Sequence, residues 1–450
     1  MYDKIVKHIY YPLMQKIKGQ KVISYAQKLE KSQWNTADVL EKEQWDNLKR
    51  LIDSAGKNVP YYKRIFKEEG IDTKNIKNYS DFRRIPCLEK DTVQQNFKEL
   101  INPDYKEGFY RTKTSGSTGR VLELLHSIEV TSWIFAGQKR AQKWFDVEVG
   151  DKALFIWGRP LDSRFQELAG YIKTRLKNII LISAFELTEA NLKKQWQKIK
   201  HFKPKYIYGY ASSIFKLAEY VQKTDKQAEF SSKAVFTTAE TLFNYQREVI
   251  EAVFDCPVAQ EYGCAEVGAF AYECPQKNMH IYAENVFVEV LKNGQPAAAG
   301  ETGEIVITSL NNYCMPFIRY RVGDMGSYLD KECACGRKLP LLDLKVAKVT
   351  DMVVTAGGEV FSSELFDYIN LELKKKQITG IGQFRVTQEN QEAFAVEIVK
   401  QEPFSEQAID FFRKKMMEFF GNNIKIEFIF KKEIPRDKTG KMRYFISKLK

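Results

Sequence analysis

The sequence predicts an α/β protein: a large N-terminal domain of parallel sheets with flanking helices and a β-rich subdomain, then a small α+β C-terminal domain. Three observations predict it. Between residues 129 and 262, short apolar runs alternate with amphipathic ones, the pattern of strands and helices around a parallel sheet. From about 280 to 330 the runs become short, alternating or β-branched, and are separated by turn residues such as Asn293-Gly294 and Gly300. The last hundred or so residues read β-α-β-β-α-β, a small α+β unit. The boundary is expected near residues 348–351, giving domains over 1–348 and 349–450, with the β-rich part at about 280–345.

Taken in order, residues 1–18 are basic and aromatic, with Ile5, Ile9, Tyr10, Leu13, Met14 and Ile17 alternating with Lys4, Lys7, Lys16 and Lys18. Two readings stand: a helix packed on its own domain, or one lying on an anionic membrane surface. Residues 41–58 place Trp45, Leu48, Leu51 and Ile52 at helical spacing. Pro60 opens a further helix and Gly70 stops it. Strands are expected at 153–157, 178–183, 205–209, 234–238 and 258–262, and helices at 189–201 (N-cap Thr188), 212–223 and 242–254. In the C-terminal unit, strands are expected at 352–355, 382–387, 393–399 and 424–430. One helix is expected to begin near Ser363, and another to run over 405–420 to Gly421.

Composition narrows the function. No run of 18 apolar residues offers a membrane span, and Met1-Tyr2-Asp3-Lys4 lacks the apolar core of a signal peptide. A cytoplasmic protein with its seven cysteines reduced is the expectation. The net charge of +12 suits an acidic small molecule, a nucleotide or an anionic surface. The lysines are scattered and accompany no nucleic-acid motif, so nucleic acid is not expected as a partner.

Five short runs carry chemistry. Thr112-Lys113-Thr114-Ser115-Gly116-Ser117-Thr118-Gly119-Arg120 concentrates glycines, hydroxyls and a fixed cation. Glycine lets backbone N–H groups face an anion, and the hydroxyls and guanidinium add donors, so the run suits a polyphosphate; a plain surface turn is the alternative. It is not a Walker A loop. Glu261-Tyr262-Gly263-Cys264-Ala265-Glu266 and Thr237-Thr238-Ala239-Glu240-Thr241 both fall at expected strand ends, where ligands of parallel sheets sit. Tyr320-Arg321-Val322-Gly323-Asp324 and Pro435-Arg436-Asp437-Lys438-Thr439-Gly440-Lys441 complete the set. Trp157, Tyr208, Tyr210 and Phe236 either wall an acyl pocket or belong to the sheet core.

The phosphate-type loop, then Glu261–Glu266, Tyr320–Asp324 and Pro435–Lys441, in this order, resemble the motifs of the adenylate-forming enzymes. The resemblance is nearest to the phenylacetate–CoA ligase-like branch, which includes proteins encoded with capsular polysaccharide genes. It implies ATP with Mg²⁺ as cofactors and a carboxylic acid as substrate, activated as acyl-AMP and passed to CoA. An amine acceptor in surface polysaccharide assembly is the alternative; a nucleotide-binding protein without turnover is a third reading. By the same resemblance, Ser115, Gly116, Ser117, Thr118, Gly119 and Arg120 hold phosphates. Tyr262 takes the adenine or ribose face, Glu266 holds Mg²⁺, and Asp324 takes the ribose hydroxyls; Ala239, Glu240, Thr241 and Gly263 are nucleotide-lining candidates by their place at strand ends. Lys441 is the catalytic lysine, and 357–361 is the loop that enters the site for the second half-reaction. At the junction Lys348 stands where the family has arginine, and Thr350 stands at the hinge; both depart from its pattern.

Cys274-x₅-His280 and Cys333-x-Cys335 are candidates for one tetrahedral Cys₃His zinc site, structural in role, with free thiols as the alternative.

Overall fold

The computed structural model describes residues 2–113, 122–157, 174–184, 187, 189–348, 352–357, 360–362, 366, 369, 372–373, 376–436 and 442–449. The chain forms two compact units: residues 1–242, 246–322 and 326–344 make the first, and 243–245, 323–325 and 345–450 the second.

Strands β1 (Phe109–Lys113) and β2 (Glu123–Ser127) form an antiparallel ribbon. The rest of the first unit is built on one twelve-stranded sheet. Its parallel part contains β3 (Ala153–Trp157), β4 (Ile179–Ser183), β5 (Tyr206–Tyr210), β6 (Ala234–Thr238) and β7 (Val258–Cys264). Its other part contains β8 (Gly268–Glu273), β9 (Met279–Ile281), β10 (Val286–Lys292), β11 (Gln295–Pro296), β12 (Gly303–Ser309), β13 (Tyr320–Leu329) and β14 (Leu341–Lys348). The order is β11-β10-β12-β13-β14-β9-β8-β7-β6-β5-β3-β4. The α/β class is therefore as expected. The β-rich region is not a sheet of its own: β7 turns back into β8, and the antiparallel strands extend the parallel sheet edge to edge. Gly263 permits this reversal, because a Cβ there would stand 2.3 Å from the Gly268 carbonyl oxygen.

Amphipathic helices cover the sheet. Helix Ala37–Asn58 buries Leu48, Leu51, Ile52 and Ala55, and Pro60–Glu68 follows it with proline in its first turn. Helix Ile128–Lys143 begins at Ser127, whose Oγ accepts from the Val130 N–H, and packs against helix Val22–Ser32 through stacked Trp133 and Tyr25 rings at 4.3 Å. Its Arg140, 1% exposed, pairs with buried Glu284 at 2.7 Å, and Ser32 Oγ donates to the same carboxylate at 2.6 Å. A buried ion pair of this kind holds only while both partners and their hydrogen bonds are present.

In the second unit, β17 (Ile381–Asn390), β18 (Ala393–Lys400), β19 (Lys425–Lys431) and β20 (Phe445–Ser447) form a sheet ordered β19-β18-β17-β20. Helix Glu406–Phe420 starts at a Ser405 cap and packs Phe412, Met416 and Phe420 into the core. The strand expected at 352–355 does not join this sheet. Instead β15 (Met352–Val354) pairs with β16 (Val360–Ser362) as a separate ribbon. Gln388, fully buried, ties that ribbon to β17 by donating to the Val354 carbonyl at 2.7 Å and accepting from its N–H at 3.3 Å. Gln388→Ala leaves both backbone groups of Val354 without this partner, at a cost of about 2 kcal/mol. Amide exchange at Val354 should then accelerate while Phe384, in the sheet core, stays protected; unchanged protection at Val354 would refute the tie.

Candidate active site

The site begins at the carboxyl ends of β5, β6 and β7, which the register sets level: Tyr210 opposite Thr238, and Thr238 opposite Glu261. The run Ala239–Thr241 follows β6, with Ala239 in the left-handed region at φ 65°. Glu240 Oε2 accepts from the backbone N–H of Ser212 at 2.8 Å, so its carboxylate caps the positive end of helix Ala211–Thr224. Beside it, Tyr262 leans edge-on against Phe270 at 4.9 Å.

Glu266 lies past the end of β7 and is 7% exposed. Its Oε1 accepts from the Tyr320 hydroxyl at 2.7 Å, and its backbone carbonyl is met by His126 Nε2 at 3.1 Å. Burial pulls the His126 imidazole below its ordinary pKa, so the ring is neutral and donates one hydrogen bond there. Tyr320 opens the Tyr-Arg-Val-Gly-Asp run. That run lies in β13, and its last two residues, Gly323 and Asp324, group with the second unit. Arg319, just before it, is a buried structural cation: it pairs with Glu289 at 3.0 Å and donates to the carbonyls of Arg83 and Ile85. Arg321 pairs with Glu304.

Glu261, Tyr320, His126 and Gln138 received no role from the sequence. Glu261 is 4% exposed; its Oε2 accepts from Tyr208 Oη at 3.0 Å and from Gln138 Nε2 at 3.4 Å, while Oε1 has no partner among the described residues. A signal was available for two of them. Glu261 is an acid inside a strand run and adjoins Tyr262, and Tyr320 heads a motif. His126 and Gln138 carry none, because their partners are over a hundred residues away in sequence. The aromatic residues divide. Phe236 is sheet core, packed on Phe145 and Tyr206, whereas Trp157 stacks on Tyr208 at 5.9 Å and against Tyr210 at 4.7 Å at the strand ends.

Burial pushes the Glu261 carboxyl up to about 7, although the Tyr208 and Gln138 hydrogen bonds and the Lys139 ammonium pull the other way. A carboxyl raised in the folded state contributes stability in full below its unfolded value of 4.5, and loses it as pH rises through the folded value. The loss amounts to roughly 3 kcal/mol above neutral pH. Glu261→Gln cannot ionise and escapes it. The variant's melting temperature should rise relative to wild type between pH 5 and pH 8; parallel profiles would remove this reading.

The predicted residues Ser115–Arg120, Thr350, Gly358, Glu359 and Lys441 lie outside the described residues. Lys348 closes β14.

A second cluster lies elsewhere on the sheet. Cys274 sits in the turn after β8, His280 in β9, and Cys333 and Cys335 before β14; their ligand atoms all fall within 4.8 Å of one another. Cys274 Sγ and Cys333 Sγ are 3.6 Å apart, and Cys335 Sγ is 3.3 Å from His280 Nε2. Metal–sulfur bonds of about 2.3 Å in a tetrahedron give sulfur–sulfur edges of about 3.8 Å, so the spacing is that of four ligands around one metal ion. His280 Nδ1 faces the Leu339 carbonyl at 3.2 Å, which leaves Nε2 for a metal. Burial pushes its pKa down to about 4, keeping the ring in the neutral form that ligates. Burial also raises the Cys274 thiol to about 12, while hydrogen bonds and the Arg337 charge outweigh burial at Cys335 and hold it below the usual thiol range.

Comparison with known proteins agrees with this geometry. Residues 361–448 match the CapK C-terminal domain family. The chain is 25% identical over 402 residues to Protein CapK of Staphylococcus aureus, covering 88% of this chain and 86% of that one. It is 22% identical over 434 residues to phenylacetate-coenzyme A ligase of Thermus thermophilus, covering 89% and 94%. In fold it superposes on 2-hydroxyisobutyryl-CoA ligase in the postadenylation state with a TM-score of 0.72, at 19% identity and over 92% and 90% of the two chains. In sequence the chain is similar to CapK and to the phenylacetate-coenzyme A ligases, and its fold is that of the adenylate-forming 2-hydroxyisobutyryl-CoA ligase.

Proposed function

We propose that the protein activates a carboxylic acid with ATP as an acyl-adenylate, releasing pyrophosphate, and then transfers the acyl group to the thiol of coenzyme A. The observation that carries this reading is the 2.7 Å hydrogen bond from Tyr320 to Glu266. It joins the start of one nucleotide-type motif to the end of another, 54 residues apart in sequence. Glu266, held through Oε1, is the carboxylate that would hold Mg²⁺, which neutralises phosphate charge when bound. Glu266 is set by Tyr320 on its side chain and by His126 on its backbone. Tyr262, with Ala239–Thr241 beside it, would line the nucleotide; Glu240 also fixes the adjoining helix end. Asp324 and Lys348 would take ribose hydroxyls, Ser115–Arg120 the phosphates, and Lys441 the charge that develops as the acid oxygen attacks the α-phosphate. The second-step thiol enters beside 357–361.

Cys274, His280, Cys333 and Cys335 would hold one zinc ion, whose part is to cross-link the sheet. The cluster lies about six residues along β8 from Gly268, roughly 20 Å from the motif-bearing end of β7, too far to act in the chemistry.

The experiment is a screen of carboxylic acids by pyrophosphate release, followed by acceptors. Acid-dependent release with thioester formation from CoA supports the proposal. Release with amide formation from an amine moves it to the alternative acceptor. Absence of release with every acid class would end it.

A further inference from the structure

Residues 2–17 form one continuous helix, Tyr2–Ile5 and Tyr11–Ile17 joined by a π-helical turn over Val6–Tyr10. One face docks on the first unit. Val6 and Gln15 are buried, Gln15 Oε1 accepts from the Ile23 N–H at 3.1 Å, Lys7 pairs with Glu148, and Tyr2 Oη donates to the Leu176 carbonyl at 3.1 Å. The opposite face would ordinarily be polar. Here it carries Ile5, Ile9, Leu13 and Ile17, exposed by 43, 62, 53 and 68%. Successive α-helical positions four apart drift around the axis; the wider π turn offsets that drift between Ile5 and Ile9 and keeps the four in one stripe.

We infer that this stripe is a membrane-surface anchor that seats the protein on an anionic lipid bilayer. Two observations choose this occupant. Residues 2–18 carry four lysines against one aspartate, and Lys4 and Lys16, exposed beside the stripe, have no ion-pair partner among the described residues. A basic-flanked apolar helix face lies in the interface of a bilayer, with its apolar side chains below the headgroups and its ammonium groups among the phosphates. The stripe also amounts to a few hundred Å², short of the roughly 800 Å² per partner that a stable dimer buries. The helix lies on the surface and does not cross: among the described residues no helix is long and apolar enough to span a membrane.

The test is flotation of the full-length protein with phosphatidylcholine vesicles, and with vesicles in which part of that lipid is replaced by phosphatidylglycerol. Wild type should float with the anionic vesicles and be released by salt. Ile9→Asp with Ile17→Asp should lower binding at least ~tenfold, and Lys4→Glu with Lys16→Glu should weaken it on anionic vesicles alone. Circular dichroism and pyrophosphate exchange of these variants should match wild type, since the altered side chains face solvent. Equal flotation by wild type and both variants overturns the inference. So does a lipid-free dimer that Ile9→Asp with Ile17→Asp splits, which would assign the stripe to a second copy of the chain.

Discussion

Lys441→Ala is expected to lower acid-dependent ATP–pyrophosphate exchange by about 10²–10³-fold while leaving nucleotide affinity nearly unchanged. The reason is where charge moves. When the acid oxygen reaches the α-phosphate, negative charge from both reactants crowds one centre, and a fixed ammonium there is worth more than in the ground state. Removing it costs about 3–4 kcal/mol of transition-state stabilisation. The phosphates and ribose would keep their own contacts, so binding by calorimetry should barely move. The C-terminal stretch is rich in lysines, so Lys438→Ala, three residues earlier in the same run, is the control. It removes the same charge and should leave exchange close to wild type. Undiminished exchange in Lys441→Ala, or equal losses in both variants, would take the catalytic role from Lys441.

The second large effect is at the cysteine–histidine cluster. The purified protein should contain one equivalent of zinc per chain by elemental analysis, and Cys333→Ser or His280→Ala should lose it. A structural zinc site holds apparent binding free energies of about 10–16 kcal/mol in small peptides. Losing even a fraction should lower the melting temperature by ~10 °C. The tertiary setting explains why the loss would spread. Arg337, two residues after Cys335, lies over the Trp144 ring at 4.6 Å and donates to Gln33 Oε1 at 3.1 Å; Trp144 Nε1 donates to the same oxygen at 2.8 Å. Releasing the turn at Cys333–Cys335 would loosen the hold on the end of helix Val22–Ser32. Exchange activity at low temperature should survive, because the cluster is remote from β7's end. A metal-free protein that melts as wild type does would leave three adjacent thiols and no site.

The helices and parallel strands were legible because their signals are local. Apolar spacing in 41–58 and Pro60 at the start of the next helix are each written in contiguous residues, and the observed helices follow them closely. The adenylate-forming class was legible for a similar reason: its motifs are short runs. The join of β7 to β8 was not, because it depends on whether two backbones can approach at Gly263 and Gly268, which no hydrophobic period reports. The ribbon of β15 and β16 escaped for the same kind of reason; it docks through the buried Val353 and through a buried glutamine 34 residues from Val354.

By itself, then, the sequence determined the class of fold and a set of motifs that resemble those of adenylate-forming enzymes, since both are written in contiguous residues. Only the tertiary structure decided that Tyr320 reaches Glu266, that Cys274 and Cys333 meet across 59 residues, and that Ile9 and Ile17 face outward. These outcomes depend on how distant segments are packed against one another, and the direction in which a side chain points is settled by that packing and not by its neighbours in the chain.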